Sequence, residues 1–210
     1  MNKLIAKGII FKQGRYPAFK CGQCGECCEQ TPSITMSDVM RLKPEEQSKI
    51  ELHNNELVTF ATVKNDELTF VTEKSPLIIS PSKNDKCVFY NGSCSIHERK
   101  PAECSLNPFS INVTKKGNNF IASAYMPNYC EGIKKEVSAN HALDDALIKH
   151  LKEMIKHEYF IITLKEIPKT INELITLWLK QEDKKLIEML NYIHEYRAKE
   201  GSELLFRTCC

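Results

Sequence analysis

Ten cysteines in 210 residues carry most of the chemistry this sequence can offer. Eight lie between Cys21 and Cys130, none occurs from Glu131 to Thr208, and two close the chain as Cys209-Cys210. The densest run is Cys21-Gly-Gln-Cys24-Gly-Glu-Cys27-Cys28. Three thiols at two-residue gaps, with Gly22 and Gly25 between them, let a loop curl around a positive centre, because glycine supplies the positive φ angles that turn backbone amides inward. Those amides can donate to thiolate or sulfide and offset its charge. The first three cysteines match the start of a bacterial ferredoxin cluster run, but Cys28 is adjacent to Cys27, so the fourth ligand has to come from elsewhere. Adjacent side chains usually diverge. Cys27 and Cys28 therefore do not suit one mononuclear ion together, and one of them can serve a second site, stay a thiol or pack.

The next thiols sit in Cys87-Val-Phe-Tyr-Asn-Gly-Ser-Cys94-Ser-Ile, which reads as a hairpin turning at Asn91-Gly92 in a type I′ turn. With a two-residue loop, Tyr90 opposes Ser93 and Phe89 opposes Cys94. Cys87 then shares a face with Cys94 in a diagonal relation, with Cβ atoms roughly 7 Å apart. A disulfide needs about 4 Å, so convergence on one metal centre fits better. Cys104 follows in Cys94-Ser-Ile-His-Glu-Arg-Lys-Pro-Ala-Glu-Cys104. Pro101 can fix the approach of the chain, and Arg99 and Lys100 bring positive charge that favours thiolate. Cys130 closes the set.

What surrounds these thiols narrows the chemistry. Lys plus Arg number 29 and Asp plus Glu 27, a formal charge of +2, which argues against a nucleic-acid coat or a polybasic membrane binder. No GxGxxG or GxxxxGK[ST] loop is present. No stretch approaches the roughly 18 apolar residues of a membrane span, and Lys7 interrupts the apolar start of the chain. A cytoplasmic location is the expectation. There thiols stay reduced, and dense cysteine points to metal ligation or redox chemistry before disulfides.

The elements that must position the thiols divide into two kinds, giving an α+β expectation. Residues 1–135 form a cysteine-rich metal-binding part with short hairpins. Residues 136–210 form a C-terminal helical bundle packing on it, with the boundary near residues 131–140. In the first part, Ser37 and Asp38 suit a helix start, and Pro44-Glu45-Glu46 suits another. Residues 58–63 and 68–71 predict a hairpin, as do 111–114 and 120–125. In the second part Leu143, Leu147, Leu151, Met154, Ile155 and Ile162 recur at helical spacing. Thr170 with Glu173 makes a capping box ahead of Ile171, Leu174, Ile175 and Trp178, with Trp178 read as core. Leu186, Ile187, Leu190 and Ile193 mark a third helix, which Gly201 can cap.

Other candidates read more plainly. His97, three residues after Cys94, suits a turn better than ligation once eight thiols are available. His150, Glu153 and His157 share a helix face that could hold a metal, but no second helix offers a matching set, so a solvated face is expected. Cys209-Cys210 reads as a reactive tail, with prenylation or a fold-back that supplies thiols as the alternatives.

The motifs Cys21-x-x-Cys24-x-x-Cys27-Cys28, Cys87-Val-Phe, Cys94-Ser-Ile-His-Glu, Pro101-Ala-Glu-Cys104, Pro108-Phe109 and Cys130 resemble the CxxCxxCC, or YkgJ-type, cysteine-cluster proteins. The resemblance covers Cys21 to Cys130 and fills all eight cysteine positions, implying a zinc- or iron-chelating domain. Two positions depart from the family: Lys100 and Ser105 stand where it usually has arginine. The resemblance leaves ligation intact there and puts a shared substrate in doubt. It also brings in flagellin lysine methylases, which carry a similar cysteine region.

Eight thiols can make two four-thiolate zinc sites, one [4Fe-4S] cluster with spare thiols, or a cluster plus a zinc. The three-cysteine run and the Cys87–Cys94 pair favour a [4Fe-4S] iron–sulfur cluster held by cysteines drawn from Cys21, Cys24, Cys27, Cys28, Cys87, Cys94, Cys104 and Cys130. The expected role is electron transfer, cluster handling or support of a protein-modifying enzyme, with a protein partner and without nucleic acid or membrane. A zinc-stabilised interaction module is the alternative. A flagellin-type lysine N-methylase is a further one, though no glycine-rich donor loop is present.

Overall fold

A computed structural model describes residues 2–19, 34–64, 67–83, 86–126 and 133–199 of the chain. Helix and strand are mixed along its length, as expected for α+β. Strands β1 (Asn2–Ala6) and β2 (Ile9–Lys12) pair antiparallel around Gly8, whose φ of +80° few residues with a side chain adopt. Later in the chain, β8 (Ser110–Lys116) and β9 (Asn119–Tyr125) form the hairpin predicted for that segment, turning at Gly117 with φ +57°. β2 then pairs with β9 in parallel, giving one four-stranded sheet in the order β1-β2-β9-β8.

One face of this sheet is apolar at every second residue. Ile9 and Phe11, Ile111 and Val113, Phe120 and Ala122 are all fully buried. Against them lie the helices α4 (His141–Thr163) and α6 (Leu186–Lys199), through Leu147, Leu151, Ile155, Leu190 and Ile193. Each such aliphatic side chain contributes about 1.5–3 kcal/mol by leaving water. The 3.6-residue spacing seen in the sequence therefore marks the faces that meet the sheet. α4 opens at Asn140, whose side chain accepts from the Leu143 amide.

A second core holds the elements around Cys87 and Cys94, while Leu106 of the helix that holds Cys104 is buried in the first. Short helices α1 (Met36–Val39) and α2 (Pro44–Gln47) lead into a long hairpin, β4 (Glu51–Lys64) with β5 (Glu67–Ser80). Strands β6 (Ser82–Lys83) and β7 (Lys86–Cys87) follow, then a 3-10 turn at His97–Arg99 and helix α3 (Ala102–Leu106). Ile34, Met36, Val39, Leu77, Ile79, Phe89 and Ile96 pack together with Phe160 and Ile161 from the end of α4 and Leu174 from α5 (Ile171–Leu179). Ile171, Ile175 and Trp178 complete the apolar face of α5, and Trp178 meets Phe160 edge-on at 5.1 Å. α4 thus serves both cores.

One boundary moves, and one capping box is only half formed. The cap of α1 is Thr35, not Ser37, because Asp38 closes a capping box with Thr35 and draws the helix start two residues upstream. At α5, Thr170 accepts from the Glu173 amide, while the Glu173 carboxylate takes the Lys169 amide rather than that of Thr170. Gly201 lies outside the described residues. No helix among the described residues is long and apolar enough to cross a membrane.

Candidate metal centre

Cys87 ends β7, and the chain bends at once: the Tyr90 amide donates to the Cys87 carbonyl at 3.1 Å. That turn prevents a continuous strand from Cys87 to Tyr90. Tyr90 bridges Cys94, and the Asn91 amide donates to the Ser93 carbonyl at 3.1 Å, so residues 91–93 make a three-residue loop with Gly92 at φ +72°. The predicted register, with Phe89 opposite Cys94, is off by one residue. The alternation argument that put Cys87 and Cys94 on one face therefore does not hold. They are brought together differently. Both half-buried side chains pack against the second core, and each lies within electrostatic reach of the other.

The Cys87 thiol is held above its ordinary range, chiefly by burial, with Cys94 adding to the rise. The backbone amides of Phe89 and Tyr90 donate toward its sulfur and pull the other way. Amides aimed at a sulfur offset a thiolate's charge, which is the service a ligating cysteine requires. Two half-buried thiols within reach of each other, supplied with amide donors, form a donor set for a soft or borderline cation. Cys87, Cys94 and Cys104 carry no disulfide. The Arg99 guanidinium bonds Glu46 of α2 at 2.7 Å.

Cys104 sits inside α3, behind the buried Pro101. The helix is held by Asp38, which by sequence alone reads only as an acid at a helix start. Asp38, with 1% of its side chain exposed, accepts from the Ala102 amide at 2.9 Å through Oδ1. Its Oδ2 accepts the Thr35 amide and hydroxyl, each at 2.9 Å, and Arg41 pairs with Oδ1. The signal in the sequence was the Thr35-x-x-Asp38 spacing of a capping box, although nothing there announced the bond to Ala102.

Cys21, Cys24, Cys27, Cys28, Cys130, Cys209 and Cys210 lie outside the described residues. The residues that flank them are placed. β3 (Arg15–Phe19) pairs antiparallel with β10 (Ile133–Ala139), with Phe19 opposite Ile133. Phe19 precedes Cys21 by two residues, and Ile133 follows Cys130 by three. Phe109, five residues after Cys104, takes the rings of Tyr16 and Phe19 edge-on at 5.3 and 6.5 Å. On the far side of the run, Ile34 is buried in the core that Cys87 and Cys94 pack against.

The face of α4 carrying His150, Glu153 and His157 is not solvated as expected. α1 lies over it. His150 is 3% exposed, and neither ring nitrogen has a hydrogen-bond partner. Burial lowers its pKa to about 4, with Asp38 opposing and Arg41 reinforcing the shift. His157 accepts the Met36 amide on Nδ1 at 3.3 Å, and burial lowers it to about 4 as well. Glu153 is raised, first by burial, with Arg41 Nη1 3.8 Å away pulling it back. Among the described residues, no group of three or more histidine, cysteine or acidic side chains is arranged to hold a metal ion.

A family model, CxxCxxCC, described as a "putative zinc- or iron-chelating domain", matches residues 20–131, just over half of the 210. No curated protein and no solved structure matches the chain.

Proposed function

The chain belongs to the CxxCxxCC family, and we propose that its cysteines enclose an iron–sulfur centre used to move electrons or clusters to a protein partner, or to support a protein-modifying enzyme. In this reading residues 1–135 are the metal-binding part and residues 136–210 brace it. The ligands come from Cys21, Cys24, Cys27, Cys28, Cys87, Cys94, Cys104 and Cys130. A [4Fe-4S] cluster suits the three-thiol run, which needs one further ligand from a distant segment.

One observation carries the proposal: every described segment that adjoins a cysteine is tied to another such segment. Phe19 pairs with Ile133, Ile34 shares a core with the residues around Cys87 and Cys94, and Asp38 binds the first amide of the helix that holds Cys104. Distant thiols gathered on short, separately anchored elements fit a shared inorganic core better than independent roles. A centre of this kind, when bound, supplies a reversible one-electron change. The chain's own residues fix the thiols, aim amides at Cys87 and limit water around it.

Anaerobic purification followed by elemental analysis and a visible spectrum tests this. The expected protein is brown, holds iron and acid-labile sulfide, and bleaches with dithionite. A colourless protein with stoichiometric zinc overturns the iron–sulfur assignment and leaves the zinc-stabilised interaction module.

A further inference from the structure

We propose that Asp38 is the positioning residue of the metal centre, its carboxylate setting the helix that carries Cys104 against the segment that leaves the CxxCxxCC run. The inference rests on the metal-centre reading above and adds to it a residue that is neither a ligand nor part of the cysteine pattern.

A capping box is complete within one helical turn. Asp38 already satisfies that role through Oδ2, which takes the amide and the hydroxyl of Thr35. Its Oδ1 does something the box does not require: it accepts the amide of Ala102, 64 residues further along the chain. Ala102 is the first residue of α3, and Cys104 lies two residues on in the same turn. Orienting that amide therefore orients Cys104. Arg41 pairs with Oδ1 as well and reaches Glu153 on α4 at 3.8 Å, so the carboxylate is itself braced from the helix that links both cores. A carboxylate 1% exposed is costly to bury, and several donors converging on it are what keep it in place. An amide in its place would turn one oxygen into a donor facing the Thr35 or the Ala102 amide.

The test uses the full-length chain, handled anaerobically, with cobalt(II) as the probe, since thiolate-to-cobalt absorbance reports each ligating sulfur. Two variants break the link from opposite ends. Asp38→Asn removes an acceptor. Ala102→Pro removes the donor at the first helical position, where proline is well tolerated and where Pro101, at φ −50° and ψ 151°, already has the backbone that a following proline needs. Both should lower cobalt affinity about 10–100-fold, the usual effect of losing a partner that orients a metal ligand. Both should also lose the share of charge-transfer absorbance that Cys104→Ser loses. Leu174→Ala opens a cavity in the neighbouring core, away from the Asp38 carboxylate, and should lower the melting temperature while keeping the wild-type spectrum. The proposal is overturned if Ala102→Pro keeps wild-type affinity and spectrum, or if Leu174→Ala loses the absorbance equally. A wild-type chain that takes up no cobalt and, purified anaerobically, holds neither iron nor zinc removes the metal-centre reading itself.

Discussion

His150 is a polar ring closed off from solvent, which costs the fold stability. Its two ring nitrogens find no partner, and burial holds its pKa at about 4, against an ordinary 6.5. The unfolded chain therefore binds a proton that the folded chain refuses between those values. Stability is complete above pH 6.5 and is lost as pH falls toward 4, by about 3 kcal/mol from this one ring. Asp38 of α1 and Arg41 just past the end of that helix, the charges that act on it, oppose each other in effect. His150→Leu should raise the melting temperature at pH 7, because an unpaired buried polar group is removed. It should also flatten the loss of stability between pH 6.5 and 4.5. An acid limb as steep as wild type would show that another group carries the protons, with His157 the first to examine. The sequence displayed His150, Glu153 and His157 on one face correctly and misjudged what covers that face. Helical spacing tells which residues look the same way, not what a segment more than a hundred residues distant lays over them.

At the scale of elements, β3 shows the same division. The hairpins β4–β5 and β8–β9 and the helices α4, α5 and α6 were legible because their partners, or their own periodicity, are local. β1, β2, β3 and β10 were not. They are short, and the pairings of β2 with β9 and β3 with β10 join distant parts of the chain, which no local pattern announces. β3 matters because it leads into the CxxCxxCC run, and it is fixed by more than its ladder. The Tyr16 hydroxyl donates to Asp144 Oδ1 at 3.0 Å, and its ring lies against Phe109. Gly14 lets that ring close in, since a Cβ there would come within 2.7 Å of it. Tyr16→Phe keeps the ring and deletes the donor. Asp144, 1% exposed, already has an Oδ2 with no hydrogen bond among the described residues, and His141 Nδ1 stands 3.7 Å from it. Urea denaturation should show a loss of about 1–3 kcal/mol, the cost of leaving a buried acceptor unmet. An unchanged midpoint would mean that β3 is held by its ladder and ring contacts alone.

The whole molecule has two apolar cores with one helix running through both, and the cysteines are not shared evenly between them. Cys87 and Cys94 pack against the second core, with α1, the inner end of β5 and α5. The first core, the four-stranded sheet with most of α4 and α6, includes no cysteine among its described residues, and meets the cysteine-bearing segments through Leu106 of α3 and Phe19 of β3. A bound metal holds together what its ligands join, and structural zinc alone is worth about 10–16 kcal/mol in small peptides. Removing it should therefore loosen the second core and, in the first, the neighbourhood of Leu106 and Phe19, while the sheet interior stays closed. Ile34, Leu77 and Phe89, early in the sequence, should lose amide-exchange protection on chelation, and so should Phe160 and Leu174, late in it. Ile9, Ile111, Phe120, Leu151 and Ile193 should keep theirs. Hydrogen exchange read by mass spectrometry before and after anaerobic chelation separates the two patterns. A uniform loss across both cores would make the protein one cooperative unit, because α4 would then transmit the loss from one end to the other. No loss at Phe89 or Ile34 would mean that the apolar contacts around Cys87 and Cys94 hold that region without any metal.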